Sequence, residues 1–159
     1  MNTSTLLQAQ ADLALARQLA EKAGRYIASR WDTTLEIQHK GIVDLVSEVD
    51  INAEKIILEG LQQDRPHDLI CAEESSSIQE YITSKNRVWY IDPLDGTTNF
   101  SHGLPHFCTS IALWENQQAQ VAVIYEPLKQ WTFYAIRTQG AWLNGKRLQV
   151  KNATALEKA

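Results

Sequence analysis

The segment from Val88 to Phe100 constrains the fold of this chain more than any other stretch. Its first four residues form a short apolar run, rich in β-branched and aromatic side chains, which is typical of a buried strand. Pro93 biases Asp92 towards extended geometry, and its fixed φ makes the connection to Asp95 stiff. We expect a short helix to begin just after Gly96. The segment therefore predicts a strand, a rigid turn with two carboxylates, and a helix start.

Asp92 and Asp95, next to the expected helix start, are typical of a site that holds a metal ion and a phosphate. Two carboxylates about 4 Å apart repel each other by roughly 4 kcal/mol at an effective dielectric near 20. Such a pair needs a compensating cation, and oxygen ligands favour Mg²⁺ over zinc. Free backbone N–H groups at a helix start attract phosphate. The alternative interpretation is an ordinary proline-containing turn between a strand and a helix.

A second predicted strand end carries another acidic residue. Asp68 to Ala72 is predicted to be a strand, and Glu73 follows directly at its carboxyl end. Ligands commonly bind at the carboxyl ends of strands in α/β sheets. We therefore expect Glu73, Asp92 and Asp95 to meet at one site.

Two long helices are predicted in the first half of the chain. Apolar residues recur at spacings of three and four from Leu6 to Ile27, and a second such face runs from Val49 to Leu61. Ser47 followed by Asp50 resembles a capping box, so we expect the second helix to begin near Ser47 with Asp50 in its first turn. That structural role alone would account for Asp50.

Further strands are predicted on both sides of the central motif. Alternating apolar and polar residues, together with an Asn-Gly turn signal, make the segment after Cys108 all-β. The predicted strands cover 35–38, 44–46, 109–114, 119–125 and 131–136, and the turn lies at Asn144-Gly145. At 159 residues the chain fits one domain of mixed α and β structure.

Composition and charge exclude several classes of partner. The net charge of −4 argues against a nucleic acid or an anionic membrane held by bulk electrostatics. No apolar run approaches the roughly 18 residues that span a bilayer, and residues 1–5 do not begin a signal peptide. Cys71 and Cys108 lack CxxC spacing, so we expect free, buried thiols and a cytoplasmic location.

Four stretches of the sequence together resemble the inositol monophosphatase family, whose members are magnesium-dependent, lithium-sensitive phosphomonoesterases. The stretches are 40–50, 72–75, 89–100 and 140–145. The resemblance implies an α/β (α+β) fold, a layered helix/sheet sandwich of the sugar-phosphatase type. Its N-terminal half has a largely antiparallel sheet flanked by two long helices. The implied substrate is a small phosphorylated polyol or sugar, inositol phosphate above all.

The resemblance also implies a set of metal ligands. By position, Glu73, Asp92 and the carbonyl of Leu94 would hold one Mg²⁺, and Asp92 would share a second ion with Asp95. Two ions of this kind polarise phosphoryl oxygens, generate hydroxide and stabilise the leaving alkoxide in an in-line displacement. No covalent phosphoenzyme is needed.

Catalytic and substrate-binding roles follow from the same match. Glu73 and Thr97 would orient the attacking water, and the backbone of Gly96 and Thr97 would receive the phosphate. Asp95 would also touch a substrate hydroxyl. Asp50, with Asp44, matches acids that help to bind a further ion or support the water, and Lys40 matches a nearby basic residue.

The resemblance covers residues 1–159 as an N-terminal metal-binding domain, and we expect the family's C-terminal α/β half to be absent. That half carries a Trp-Asp motif with a further metal-binding aspartate, whereas Trp31-Asp32 here lies at the end of the first helix. We therefore expect turnover by this chain alone to be far below that of an intact relative; the intact family member would be a homodimer.

Three alternatives stay open at this stage. The substrate could be 3′-phosphoadenosine 5′-phosphate, histidinol phosphate or fructose bisphosphate, which relatives use. The chain could instead be a catalytically dead module that binds metal or protein. A phosphatase of the haloacid dehalogenase type is the third alternative, although its motif has one residue between the aspartates and here there are two.

Overall fold

The computed structural model describes residues 3–36, 42–72 and 86–150, which form three helices and seven strands. The helices are α1 (Thr3–Glu36), α2 (Ile42–Asp64) and α3 (Thr97–Ser101). The strands are β1 (Leu69–Ala72), β2 (Arg87–Asp95), β3 (Cys108–Glu115), β4 (Gln118–Glu126), β5 (Trp131–Ile136), β6 (Gly140–Leu143) and β7 (Lys146–Arg147).

The strands form one sheet in sequence order from β1 to β7. Only the β1–β2 pair is parallel among the pairings described, and every other neighbouring pair is antiparallel. Asn144 and Gly145 both have positive φ and connect β6 to β7, as the Asn-Gly signal predicts. The predicted α+β architecture with a largely antiparallel sheet is confirmed.

The two long helices cover one face of this sheet. α1 packs against α2 and β2 to β5, and α2 also packs against β2. Gly24 allows the close approach of α1 to β4, because a Cβ there would overlap the ring of Tyr125. The predicted apolar helix faces are confirmed as core, and their fully buried members are Ala16, Ala20, Ala23, Ile27, Val49, Ala53, Ile57 and Leu61.

The opposite face of the sheet is apolar and rich in alanine. Ala112, Ala122, Ala135 and Ala141 are paired in turn across β3 to β6, so their side chains form a row on this face. Ile124 on the same face is 44% exposed. We call this the open face, because the two long helices lie on the other side.

The start of the second helix differs from the prediction. α2 begins at Ile42 rather than near Ser47, so Asp50 lies more than two turns into the helix instead of in its first turn. The predicted strand at 44–46 is therefore wrong. Ile42 and Leu45 extend the three- and four-residue spacing that leads to Val49, and this helical period overrides the short β-like run.

The predicted strand at 35–38 is also wrong where it can be compared. Leu35 and Glu36 belong to the last turn of α1, while residues 37–41, including Lys40, lie outside the described part of the chain. Within the described ranges, none of the helices combines the length and apolar character needed to cross a bilayer.

Candidate metal and phosphate site

The carboxyl end of β2 carries both aspartates of the central motif, separated by a β-bulge. Asp92 pairs with Ser110, and the next pair is Asp95 with Cys108, so the register shifts between them. Pro93 lacks an N–H and cannot donate to the ladder, which explains the irregularity at this point. The predicted rigid turn is therefore a bulged strand end, and the chain turns only at Gly96. Bulges of this kind re-aim side chains next to binding sites.

The beginning of β3 holds this strand end in place. The buried Thr109 hydroxyl donates a 2.8 Å hydrogen bond to the carbonyl oxygen of Pro93. Gly96 has φ +94°, and a Cβ there would lie only 2.8 Å from the carbonyl oxygen of His106. Asn99 donates a 2.7 Å hydrogen bond to the same carbonyl. Close packing and a left-handed backbone thus both require glycine at position 96.

The predicted short helix after Gly96 is confirmed as α3. The amide of Phe100 donates to the carbonyl of Gly96 at 2.9 Å, which closes its first turn. Phe100 is fully buried, with its ring 5.3 Å from Trp31 and 5.1 Å from Phe107. The helix is thus anchored to the core of the protein. His102 lies at its other end, where Nδ1 is 2.8 Å from the carbonyl oxygen of Thr98.

The two aspartates line two neighbouring cavities on the sheet. Asp92 lines one together with Cys71, Ala72 and Ser110. Asp95 and Gly96 line the other, which has a volume of about 360 Å³ and is also lined by Cys108, Phe133 and Glu126. Ser110 and Cys108 are the strand partners of the two aspartates. They precede Ala112 by two and four residues in β3, so their side chains lie on the open face. The acidic strand end therefore opens onto the side of the sheet away from the long helices.

The position of Glu73 relative to these aspartates stays a prediction. β1 ends at Ala72, which pairs with Ile91 in the parallel ladder, one residue before Asp92. Glu73 itself lies outside the described residues. Among the residues that the structure describes, no group of three or more His, Cys, Asp and Glu side chains could hold a metal ion.

The remaining predicted residues lie on the elements around the strand end. Leu94 has a fully buried side chain in β2, and Thr97 is the first residue of α3. Asp50 is half-buried in α2, which packs against both β2 and α3. Asp44 also lies in α2.

The electrostatic environment of this strand end favours a cation. The pKa of Cys108 is raised to about 12, first by burial and then by the negative charges of Asp95, Asp92 and Glu126. The donors available in the motif are two carboxylates and backbone carbonyls, which are hard oxygen ligands. Their chemistry fits Mg²⁺ better than a soft transition metal.

Sequence reasoning missed the residues that hold the motif from β3. Cys108 donates a hydrogen bond from Sγ to Oδ2 of Asp95 over 3.7 Å, and Thr109 binds the carbonyl of Pro93. Thr109 belongs to the strand predicted at 109–114 and Cys108 directly precedes it, but the sequence gives no sign of which strand this segment pairs with. Only the β2–β3 register brings them opposite the motif.

Fold and site together define an α+β protein with an acidic strand end beside a short helix. The sequence model of the inositol monophosphatase family matches residues 8–159, so this chain belongs to that family. The predicted resemblance is confirmed.

Individual relatives show the same relationship. The chain is 42% identical over 147 residues to a protein named Nus factor SuhB from Escherichia coli K12, covering 91% of this chain and 54% of the relative. It is 39% identical over 148 residues to inositol monophosphatase 3 of Solanum lycopersicum, covering 92% and 55%. The structure of an inositol monophosphatase from Anabaena superposes with a TM-score of 0.75 at 31% identity, covering 92% of this chain and 50% of that one. The chain thus spans about half the length of the relatives it matches.

Proposed function

We propose that this chain is the N-terminal, metal-binding part of a magnesium-dependent phosphatase that hydrolyses a phosphate monoester of inositol or a related polyol or sugar. One observation carries the proposal. In a member of this family, a β-bulge sets Asp92 and Asp95 at one strand end, directly before Gly96 and the start of α3. This arrangement combines ligands for a hard cation with backbone donors for an anion.

Four residues are proposed as metal ligands. The carboxylates of Asp92 and Asp95, the carbonyl of Leu94 and the carboxylate of Glu73 would together hold Mg²⁺. The ion would supply Lewis-acid polarisation of the phosphoryl oxygens and a water of lowered pKa. The fit is supported by the hard donor set and by the surroundings of Cys108, whose pKa is raised first by burial and then by the nearby carboxylates.

Other residues are proposed to bind and orient the reactants. The backbone amides of Gly96 and Thr97 would hold the phosphate, and the Thr97 hydroxyl, with Glu73, would orient the attacking water. Asp95 would accept a hydrogen bond from a substrate hydroxyl. Asp50 would support the site from α2, which packs against β2 and α3. The hydrogen bond from Thr109 of β3 to the carbonyl of Pro93 would keep these residues in place, as catalysis by positioning requires.

The intact active site is proposed to need a second part. The chain spans 54% of the length of its E. coli relative, and the acidic strand end opens onto the apolar open face. A companion α/β half that packs there would complete the site. We further propose a cytoplasmic protein, in keeping with free Cys71 and Cys108, and a homodimer in the intact state.

The test is hydrolysis of inositol 1-phosphate with and without Mg²⁺, by this chain alone and with the companion half of a relative added. We expect turnover to be far below that of an intact relative for the chain alone, and to rise on addition of the companion. Replacement Asp92→Asn should abolish the magnesium-dependent part. Hydrolysis at ordinary enzyme rates by the chain alone would contradict the need for a second half.

Parallel assays settle the substrate and the mechanism. The other phosphate esters used by relatives serve as competing substrates, and the highest kcat/KM among them identifies the ester. Trapping of an aspartyl phosphate on Asp92 would favour the haloacid dehalogenase mechanism instead. If none of these esters is hydrolysed when the companion half is present, the phosphatase proposal is overturned.

A protein-interaction role is the second candidate. It is favoured by one observation, the 42% identity to a relative whose name, Nus factor SuhB, describes a role other than phosphatase. If the chain with the companion half added shows no phosphatase activity but binds a partner protein, this role is favoured.

A further inference from the structure

We propose that Cys108 is a positioning residue whose thiol holds the Asp95 carboxylate in one orientation. Sγ of Cys108 donates to Oδ2 of Asp95 over a distance of 3.7 Å. The consequence for cation binding rests on the proposed function, because it requires Asp95 to be a metal ligand. The orientation of the carboxylate itself does not depend on that proposal.

The main chain around Asp95 is already fixed by its neighbours. The Thr109 hydroxyl binds the carbonyl of Pro93 at 2.8 Å, and Gly96 packs against the carbonyl of His106. Asn99 binds that same carbonyl at 2.7 Å. These contacts fix the main chain at the end of β2, but none of them restrains the side chain of Asp95.

The contacts to the main chain leave the rotamer of the Asp95 side chain unrestrained. It is exposed, so solvent alone would let its carboxylate sample several rotamers. Asp95 and Cys108 are direct partners in the β2–β3 ladder, just after the bulge. Directly opposed residues place their side chains on the same face and within contact distance. The thiol is therefore the contact from β3 that reaches the carboxylate.

The hydrogen bond engages only one of the two carboxylate oxygens. With Oδ2 held by the thiol, Oδ1 would be the oxygen offered to a cation or a substrate hydroxyl, beside the cavity that Asp95, Gly96 and Cys108 line together. Preorganisation of a ligand lowers the entropic cost of binding. Cys108 thus acts on the cation through Asp95, without being a ligand itself.

The test uses Cys108→Ala, which removes the donor, and Cys108→Ser, which restores a hydroxyl donor. Cys71→Ala is the matched control, because the Cys71 thiol points to the carbonyl of Ala72 rather than to Asp95. In the metal-free proteins, three-bond NMR couplings report the χ1 rotamer of Asp95. Calorimetric titration with MgCl₂ then gives the affinity, and thermal unfolding confirms that each variant folds. Cys108→Val replaces the alanine variant if that one does not fold.

We expect one dominant Asp95 rotamer in the wild type, in Cys71→Ala and in Cys108→Ser, and loss of that preference in Cys108→Ala. The Mg²⁺ affinity of Cys108→Ala should fall about threefold, the size expected for one weak hydrogen bond, and serine should restore it. A wild-type Asp95 without a dominant rotamer, or an alanine variant with the same rotamer preference as the wild type, overturns the proposal. Absence of Mg²⁺ binding by the wild type with the rotamer pattern intact overturns the proposed function and leaves the hydrogen bond standing.

Discussion

The buried carboxylate of Asp12 is expected to be a main determinant of stability at the end of the sheet far from the acidic motif. Asp12 is 1% exposed and accepts hydrogen bonds from Nε of Arg65 and Nη2 of Arg87, each at 2.9 Å, and from Nε2 of Gln8 at 3.1 Å. Arg87 also binds Asp68 at 3.1 Å. The cluster thus joins α1, the end of α2, β2 and the chain before β1.

The replacement Asp12→Asn keeps the shape of the side chain but removes its charge. Breaking one partner of a buried ion pair typically costs about 3 to 5 kcal/mol. Arg87 keeps Asp68, and Arg65 keeps the carbonyl of Asp64 at 2.8 Å, so the lower end of that range applies. We expect a loss of about 3 kcal/mol, which lowers the Tm by roughly 6 to 12 °C for a chain of this size.

Urea unfolding followed by tryptophan fluorescence measures this loss directly. The matched control is Glu59→Gln, which removes the partner of Lys55 in a surface pair whose side chains are 69% and 66% exposed. That control should cost less than about 0.5 kcal/mol. A loss below about 1 kcal/mol for Asp12→Asn would show that the cluster contributes little and would refute this reasoning.

Two glycine replacements test the close approaches in the fold. Gly24→Ala should destabilise by about 1 kcal/mol in urea unfolding, because overpacking against Tyr125 outweighs the helix propensity of alanine; a stabilised variant would contradict this account of the α1–β4 contact. Gly96→Ala should cost about 2 to 3 kcal/mol, since both its φ and the carbonyl of His106 oppose a Cβ. Gly145→Ala is the control, with φ +84° and nothing within 4 Å, and should cost about 1 kcal/mol. Equal losses at the two positions would argue against steric restriction at Gly96.

Periodic patterns in the sequence predict most of the fold. The apolar spacing in α1 and α2, the alternation in β3 and β4, and the Asn144-Gly145 turn each depend on neighbours a few residues away. Such local signals were sufficient for element type and for the motif at Asp92. They were insufficient where two patterns overlapped, so the strand predicted at 44–46 is the beginning of α2.

Features that depend on distant residues could not be predicted. The reason for a glycine at position 24 is the ring of Tyr125, which is more than one hundred positions away in the sequence. The sequence alone does not distinguish Asp12 from the other polar residues of α1. Its importance follows from the ion pairs that the fold forms with Arg65 and Arg87. The thiol of Cys108 likewise gains its role only from the pairing of β3 with β2. In each case the contact is made by the tertiary fold and leaves no trace in local spacing.

Calorimetric titration of the chain with MgCl₂ tests the central claim most directly, because it asks whether the acidic end of β2 binds the ion at all. We expect saturable binding by the wild type and loss of most of the affinity in Asp92→Asn. Glu115→Gln, at the other end of the same sheet, serves as the control and should bind like the wild type. Equal Mg²⁺ affinity in Asp92→Asn and the wild type would contradict the assignment of this strand end as the metal site.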